Sequence, residues 1–342
     1  MREKLTIRCD IKEVLEPFVK TYPQFQRRWV TKITNFSGII EGYTDEPEFK
    51  AFYDYLQTKI KYAVSYITRE YIKKELLDAD ILKMWISATF EPTGEEVGTE
   101  YEYPCSVCKA GRTVKGDLVL DLRKTPKGKD IAKTIADEWI VSQRLAELIY
   151  DAKLTGFELK PVRHKVRYQD DAIDPTKYRS GIELIEKAKM AGVPYSTWAF
   201  WVWLNRPEQS ALLHGLEQEH IQTRQKKEIK ERQPIPIWYQ LIINSTVALA
   251  EQTKYGDPFS PVLDIEQIKT SCGHTITRGA LSELFIKKNS WDGSDITKTD
   301  FSFGVHINLL YPAPEILISQ RFYRLLEEHN IKGYTVEVTH TV

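Results

Sequence analysis

The chain of 342 residues balances 48 Lys plus Arg against 48 Asp plus Glu, with 42% hydrophobic and 28% charged residues. That usage is ordinary for globular proteins and excludes general disorder. Zero net charge removes the bulk electrostatic drive toward nucleic acid or an anionic membrane, and the length allows two or three domains of about 100–200 residues each.

The opening MREKLTIRCDIKEV carries charge at almost every other position and lacks the apolar centre and cleavage site of a secretory signal, so a cytoplasmic protein is expected. Residues up to about Lys83 read as helical. In EPEFKAFYDYLQTKIKYAVSYITREYIKKELL, Phe49, Phe52, Leu56 and Ile60 recur at three- and four-residue steps with charges between them. Around MWISATFEPTGEEVGTEYEYPCSVC the pattern turns to alternation and turn residues, predicting two strands that lead into a cysteine knuckle.

Further on, the chain repeats itself. EWIVSQRLAELIYDAKLTGFEL, from Glu138, aligns without a gap to EILISQRFYRLLEEHNIKGYTV, from Glu315. Ser142 pairs with Ser319, Arg144 with Arg321 and Gly156 with Gly333, all 177 residues apart. Self-similarity of this kind marks a repeated fold unit. Each serine follows a short apolar run and precedes a helical pattern, the position of a helix N-cap. Each glycine fits the left-handed position that closes a helix, after which FEL and YTV resume as strands. Upstream, DLVLDL from Asp117 pairs with ELFIKK from Glu283, and GKDI from Gly128 with GSDI from Gly293. Asp130 and Asp295 read there as turn or cap residues. The offset moves from 165 (128 to 293) to 177 (142 to 319), so the second copy carries a 12-residue insertion around FSFGVHINLLYPAP, the kind of place where repeats vary their binding face.

Between the copies the pattern is helical, then highly charged, then broken at Pro234 and Pro236. HIQTRQKKEIKERQ reads as a solvated helix, because acidic residues interrupt its basic ones. Trp198, Trp201 and Trp203 belong in a core or between domains, with one of them a candidate binding anchor. No apolar run reaches the roughly 18–20 residues of a membrane helix.

Cys105 and Cys108 have the spacing with which a tight turn presents two thiolates to one tetrahedral zinc. Shifted by the local offset of 164 (108 to 272), Cys272 is the second copy's remaining knuckle cysteine, and Lys269 stands where its leading cysteine falls. His274, two residues further, is a replacement ligand, and three thiolates with one imidazole make a closed structural site. The competing reading makes these ordinary reduced cysteines, with His274 bonded to a backbone carbonyl. A thioredoxin-like redox pair fits less well, since such a pair opens a helix and KAGRTVKG reads as a turn into a strand. Cys9 reads as a core residue. The chain has no glycine-rich phosphate loop, HExxH helix, GxSxG elbow or DxDxDG loop.

The stretches YPCSVCKAG, DEWIVSQRLAELIYDAKLTGFELKPV, KYGDPFSP, CGHTITRGALSELFIKKNSWDGSDI and EILISQRFYRLLEEHNIKGYTVEV resemble the double-CxxCG-motif bacterial proteins. The likeness covers about Tyr101–Val162 and Ile237–Val338. It departs from the family at Lys109, where the motif has glycine, and at Lys269. That group is associated with immunity proteins of polymorphic or contact-delivered toxin systems. The resemblance implies a non-catalytic protein that binds a cognate toxin, while the short apolar runs exclude a membrane partner and the balanced charge makes nucleic acid an unfavoured one.

The expected fold is α+β. A helical amino-terminal region (1–100) precedes a first strand-helix-strand module with the CxxC knuckle (101–165). A helical insertion (166–236) and a second module with a CxH knuckle (237–342) complete the chain. Structural zinc on Cys105, Cys108, Cys272 and His274 would staple the two pseudo-duplicated modules. Two alternatives stand beside this. One is a nucleic-acid-binding zinc-ribbon protein using basic loops such as RKTPKGK, and the other is an enzyme with a composite pocket near the tryptophans.

Overall fold

The computed structural model describes residues 1–33, 37–59, 64–165, 174–194, 198–204, 206–230, 234–256, 272, 279–304 and 310–342. They form two compact units, residues 1–163 with 237–342, and residues 164–236. The fold is α+β.

The amino-terminal region is a sheet covered by helices, which corrects the helical expectation. β1 (Arg2–Asp10) is followed by α1 (Glu16–Thr21), α2 (Pro23–Trp29), β2 (Val30–Ile33), β3 (Ser37–Tyr43), α3 (Pro47–Lys59) and β4 (Val64–Glu70). The strands lie in the order β2-β3-β1-β4. The alternating charges at the start are the solvent face of β1, whose Leu5, Ile7 and Cys9 are buried, as a half-buried strand requires. Phe49, Phe52 and Leu56 do form one helical stripe, packed with Phe18, Phe25 and Trp29. Ile60 lies outside the described residues, and β-branched VSYITRE, from Val64, pairs along β1 instead of continuing a helix. In that segment strand pairing overrides a periodicity that continues in the letters.

The remainder of this unit is built on two further large sheets. α4 (Lys73–Asp78) leads to β5 (Ile81–Ile86) and β6 (Thr89–Phe90). After α5 (Gly94–Val97), β7 (Glu100–Glu102), β8 (Thr113–Lys115) and β9 (Val119–Leu120), the chain makes the hairpin β10 (Ile131–Thr134) and β11 (Trp139–Ser142). It then forms α6 (Gln143–Asp151), β12 (Phe157–Pro161) and β13 (Arg163–His164). The second unit holds α7 (Arg179–Met190), α8 (Trp198–Leu204) and α9 (Ser210–Lys230) around Leu184, Phe200, Trp203 and Leu216. The first unit resumes with β14 (Trp238–Ile243), β15 (Thr246–Val247), β16 (Leu284–Ile286), β17 (Ile296–Phe303), β18 (Ala313–Ser319), α10 (Gln320–Glu328) and β19 (Tyr334–Thr341).

The two large sheets run β12-β14-β11-β10-β6 and β15-β17-β18-β5-β19-β16. The five strands of the first have counterparts in the second, β12 in β19, β14 in β5, β11 in β18, β10 in β17 and β6 in β15, with one exchange; β9, the counterpart of β16, pairs instead with β13 in a separate two-stranded sheet. β14 lies between β11 and β12, while β5 lies between β18 and β19. Each sheet therefore takes a central strand from the other half. These strands, ILKMWISATF from Ile81 and WYQLIINSTV from Trp238, match in apolar pattern more than in identity. They extend the matching segments upstream to Ile81 and Trp238.

Small contacts recur at matching places. Ser142 accepts the Leu145 N–H and Ser319 the Phe322 N–H, each at 3.2 Å. Asp130 accepts from Ser142 at 3.1 Å and Asp295 from Ser319 at 2.7 Å. Arg144 donates to the His329 carbonyl and Arg321 to the Ala152 carbonyl, so each helix is closed by the arginine of the other half. The left-handed residues directly after the helices are Lys153 and Asn330, not the glycines. Gly156 and Gly333 serve a different need. A Cβ would lie 2.1 Å from the Ile296 carbonyl oxygen in the first case and 2.0 Å from that of Ile131 in the second. Between the sheets and helices lies one core containing Leu82, Val141, Ile149, Leu241, Ile318 and Phe322.

Candidate metal centre

The strands β7 and β8 pair from Glu100 with Lys115 to Glu102 with Thr113, and between them the chain turns through Cys105 and Cys108. The Lys109 N–H donates to the Cys105 carbonyl at 3.0 Å. Lys109 then takes a φ of 60°, the left-handed conformation that glycine supplies most easily. This is the position at which the resembled motif carries glycine. The Cys108 N–H points at the Cys105 Sγ, 3.5 Å away.

Cys272 completes a cluster with this turn. The three sulfurs of Cys105, Cys108 and Cys272 lie within 4.8 Å of one another, the first two buried and the third half-buried. A tetrahedral zinc with Zn–S bonds of about 2.3 Å needs sulfurs about 3.8 Å apart, so a closure of about 1 Å brings them onto one ion. The amide of Cys108 pulls the Cys105 thiol down to about 6, while burial, then the neighbouring sulfurs, push Cys108 up to about 11. One anionic sulfur beside buried thiols suits a cation, which supplies the charge that deprotonates the others. His274 and Lys269 lie outside the described residues, as does most of the second knuckle.

A polar and aromatic cluster braces the knuckle. Arg112 lies between the rings of Tyr101 and Tyr311, at 4.2 and 4.1 Å from their centroids, and also donates to the Ala136 carbonyl. Tyr311 stacks on Tyr103 and donates to Glu95 at 2.6 Å. Buried Glu138 accepts from the Gly94 N–H at 3.0 Å and from the hydroxyls of Tyr101 and Thr134. Tyr311 belongs to the second half's insertion, so this residue of the insertion is seated beside the first half's knuckle. Nothing in the spacing of the letters announced that contact.

The other candidates fall elsewhere. Asp130 and Asp295 bridge the two halves: Asp130 also accepts from the Lys332 N–H at 3.3 Å, and Asp295 from the Thr155 N–H at 3.0 Å. Cys9 is a core residue whose thiol burial pushes up to about 12. Trp203 is buried in the second unit, while the side chains of Trp198 and Trp201 lie outside the described residues. Two features escaped the reading of the sequence. Trp85 is 49% exposed on β5 with the Lys133 ammonium 4.5 Å from its ring. Glu283 accepts from Tyr71 at 2.6 Å and pairs with His340 at 2.8 Å beside a cavity of about 510 Å³. The matching place in the first half is a plain Arg163–Asp117 pair at 3.4 Å. Among the described residues no helix is long and apolar enough to cross a membrane. Comparison with protein-family models, curated proteins and solved structures gave no match to this chain.

Proposed function

We propose that the chain is a non-catalytic binding protein, an immunity protein that neutralises a cognate bacterial toxin by direct contact, with a duplicated core stapled by structural zinc. The observation that carries the metal part is the convergence of Cys105, Cys108 and Cys272 within 4.8 Å, across 164 residues of chain from Cys108 to Cys272. His274 is the proposed fourth ligand. Closed by four protein ligands, such a site has no vacancy for substrate, and its ion acts on stability.

The matched contacts support descent by tandem copying, with the leading strand of each copy exchanged. In that reading the modules are scaffold, and the 12-residue insertion of the second copy is the variable part. Its foot is fixed, since Tyr311 is held by Arg112, Tyr103 and Glu95. The toxin-binding role itself rests on the resemblance of the knuckle and repeat motifs.

The test is co-expression with the product of the adjacent upstream gene. Restored growth and a 1:1 complex on size exclusion are expected. Failure to bind or protect against any neighbouring toxin overturns the immunity reading and leaves the metal reading standing.

A further inference from the structure

We infer that the three-sulfur cluster is also an oxidation site, at which a peroxide converts Cys272 and one knuckle cysteine into a disulfide that ties the two halves of the core together. The placing of the sulfurs carries this. Cys272 is the most accessible of them, half-buried where Cys105 and Cys108 are 7% and 4% exposed. Accessible thiols meet an oxidant first, and a second thiol close by diverts the sulfenic acid into a disulfide. Here two such neighbours stand within 4.8 Å of the Cys272 sulfur. Cys9, by contrast, is packed at 4% exposure among Leu5, Ile7 and Phe18 in the amino-terminal core.

The chemistry closes on hydrogen peroxide alone. The Cys272 thiol passes its proton to the neighbouring Cys105 sulfur and attacks one peroxide oxygen, the O–O bond breaks, and hydroxide leaves, giving a sulfenic acid. The sulfur of Cys105 or Cys108 then attacks the Cys272 sulfur and displaces the hydroxyl as water. In sum two thiols and one peroxide become one disulfide and two waters, each sulfur losing one electron and the peroxide gaining two. A disulfide sulfur is no longer a thiolate ligand, so the crosslink and a bound ion exclude each other. The inference needs only the three sulfurs and is independent of the toxin-binding reading.

The experiment treats full-length, pre-reduced protein with hydrogen peroxide in the presence of a chelator, then alkylates it and maps non-reduced peptides by mass spectrometry. Two of the four thiols should disappear, and the main product should join the Cys272 peptide to the one holding Cys105 and Cys108. Cys9 should remain alkylatable, and dithiothreitol should restore all four. The Cys272→Ser chain, with an unchanged circular dichroism spectrum, should lose that product. Either single knuckle variant, Cys105→Ser or Cys108→Ser, should keep it, because one resolving sulfur remains. The inference is overturned if Cys272 stops at sulfinic acid without a crosslink. It is equally overturned if Cys105–Cys108 is the main product or if Cys9 is oxidised first.

Discussion

Lys109 shows how a single side chain departs from a motif without losing its turn. The backbone there is left-handed at 60°, which costs a non-glycine residue roughly 1–2 kcal/mol, and the Lys109 ammonium recovers part of this by lying 4.5 Å from the Tyr103 ring centre. Cys105 offers a direct measurement. With its pKa lowered to about 6 by the Cys108 amide, thiolate absorbance near 240 nm in chelator-treated protein should titrate with a midpoint near 6 and vanish in Cys105→Ser. The folded value lies below the unfolded one, so the thiolate stabilises the fold above the ordinary thiol range and this contribution is lost as pH falls through about 6. A midpoint above 8 contradicts the arrangement. Gly333 makes the opposite demand, for absence of any side chain. Gly333→Ala drives a Cβ to 2.0 Å from the Ile131 oxygen at a φ of 111°. It should cost about 3 kcal/mol or more by urea unfolding, whereas Gly128→Ala, which meets nothing within 4 Å, should cost about 1–2.

Among the elements, the caps and helices of the repeat were legible because their signals are local. Ser142 and Ser319 sit where a serine oxygen meets the amide three residues on, and a sequence displays that spacing directly. The leading strands were hidden for the opposite reason. ILKMWISATF and WYQLIINSTV share few letters, and what makes them equivalent is insertion between strands of the other half. The same topology shows where the chain leaves and rejoins the first unit. β12 and β14 are antiparallel neighbours, and the Val162 N–H donates to the Trp238 carbonyl at 2.9 Å. Residues 164–236 thus enter the first unit where a hairpin turn would stand. Replacing residues 165–236 by a short Asn-Gly turn should leave a cooperatively unfolding protein with Tm within about 5 °C of the parent. A chain that aggregates or melts without cooperativity contradicts this.

At the scale of the whole molecule, the two halves are interdependent, since each sheet lacks a central strand until the other half is in place. An ion on Cys105, Cys108 and Cys272 would add a clasp to that exchange. Metal analysis should give about one zinc per chain, and at a zinc activity 100 times its Kd the clasp contributes roughly 3 kcal/mol. Chelation should therefore lower Tm in the parent and leave Cys105→Ser, already destabilised, unmoved. A nucleic-acid ribbon would instead show binding that falls steeply with salt. By itself the sequence determined what depends on neighbours along the chain: the serine caps, the α6 and α10 stripes, the paired segments and the cysteine spacing. Tertiary structure alone decided which strand lies beside which, that the opening segment folds as a sheet, and that Tyr311 and His340 meet Arg112 and Glu283. The physical reason is that a cap or a helical face is fixed by residues three or four apart. Strand partners and side-chain clusters are fixed by packing between segments tens to hundreds of residues apart, which compete on energy and leave no periodic trace in the letters.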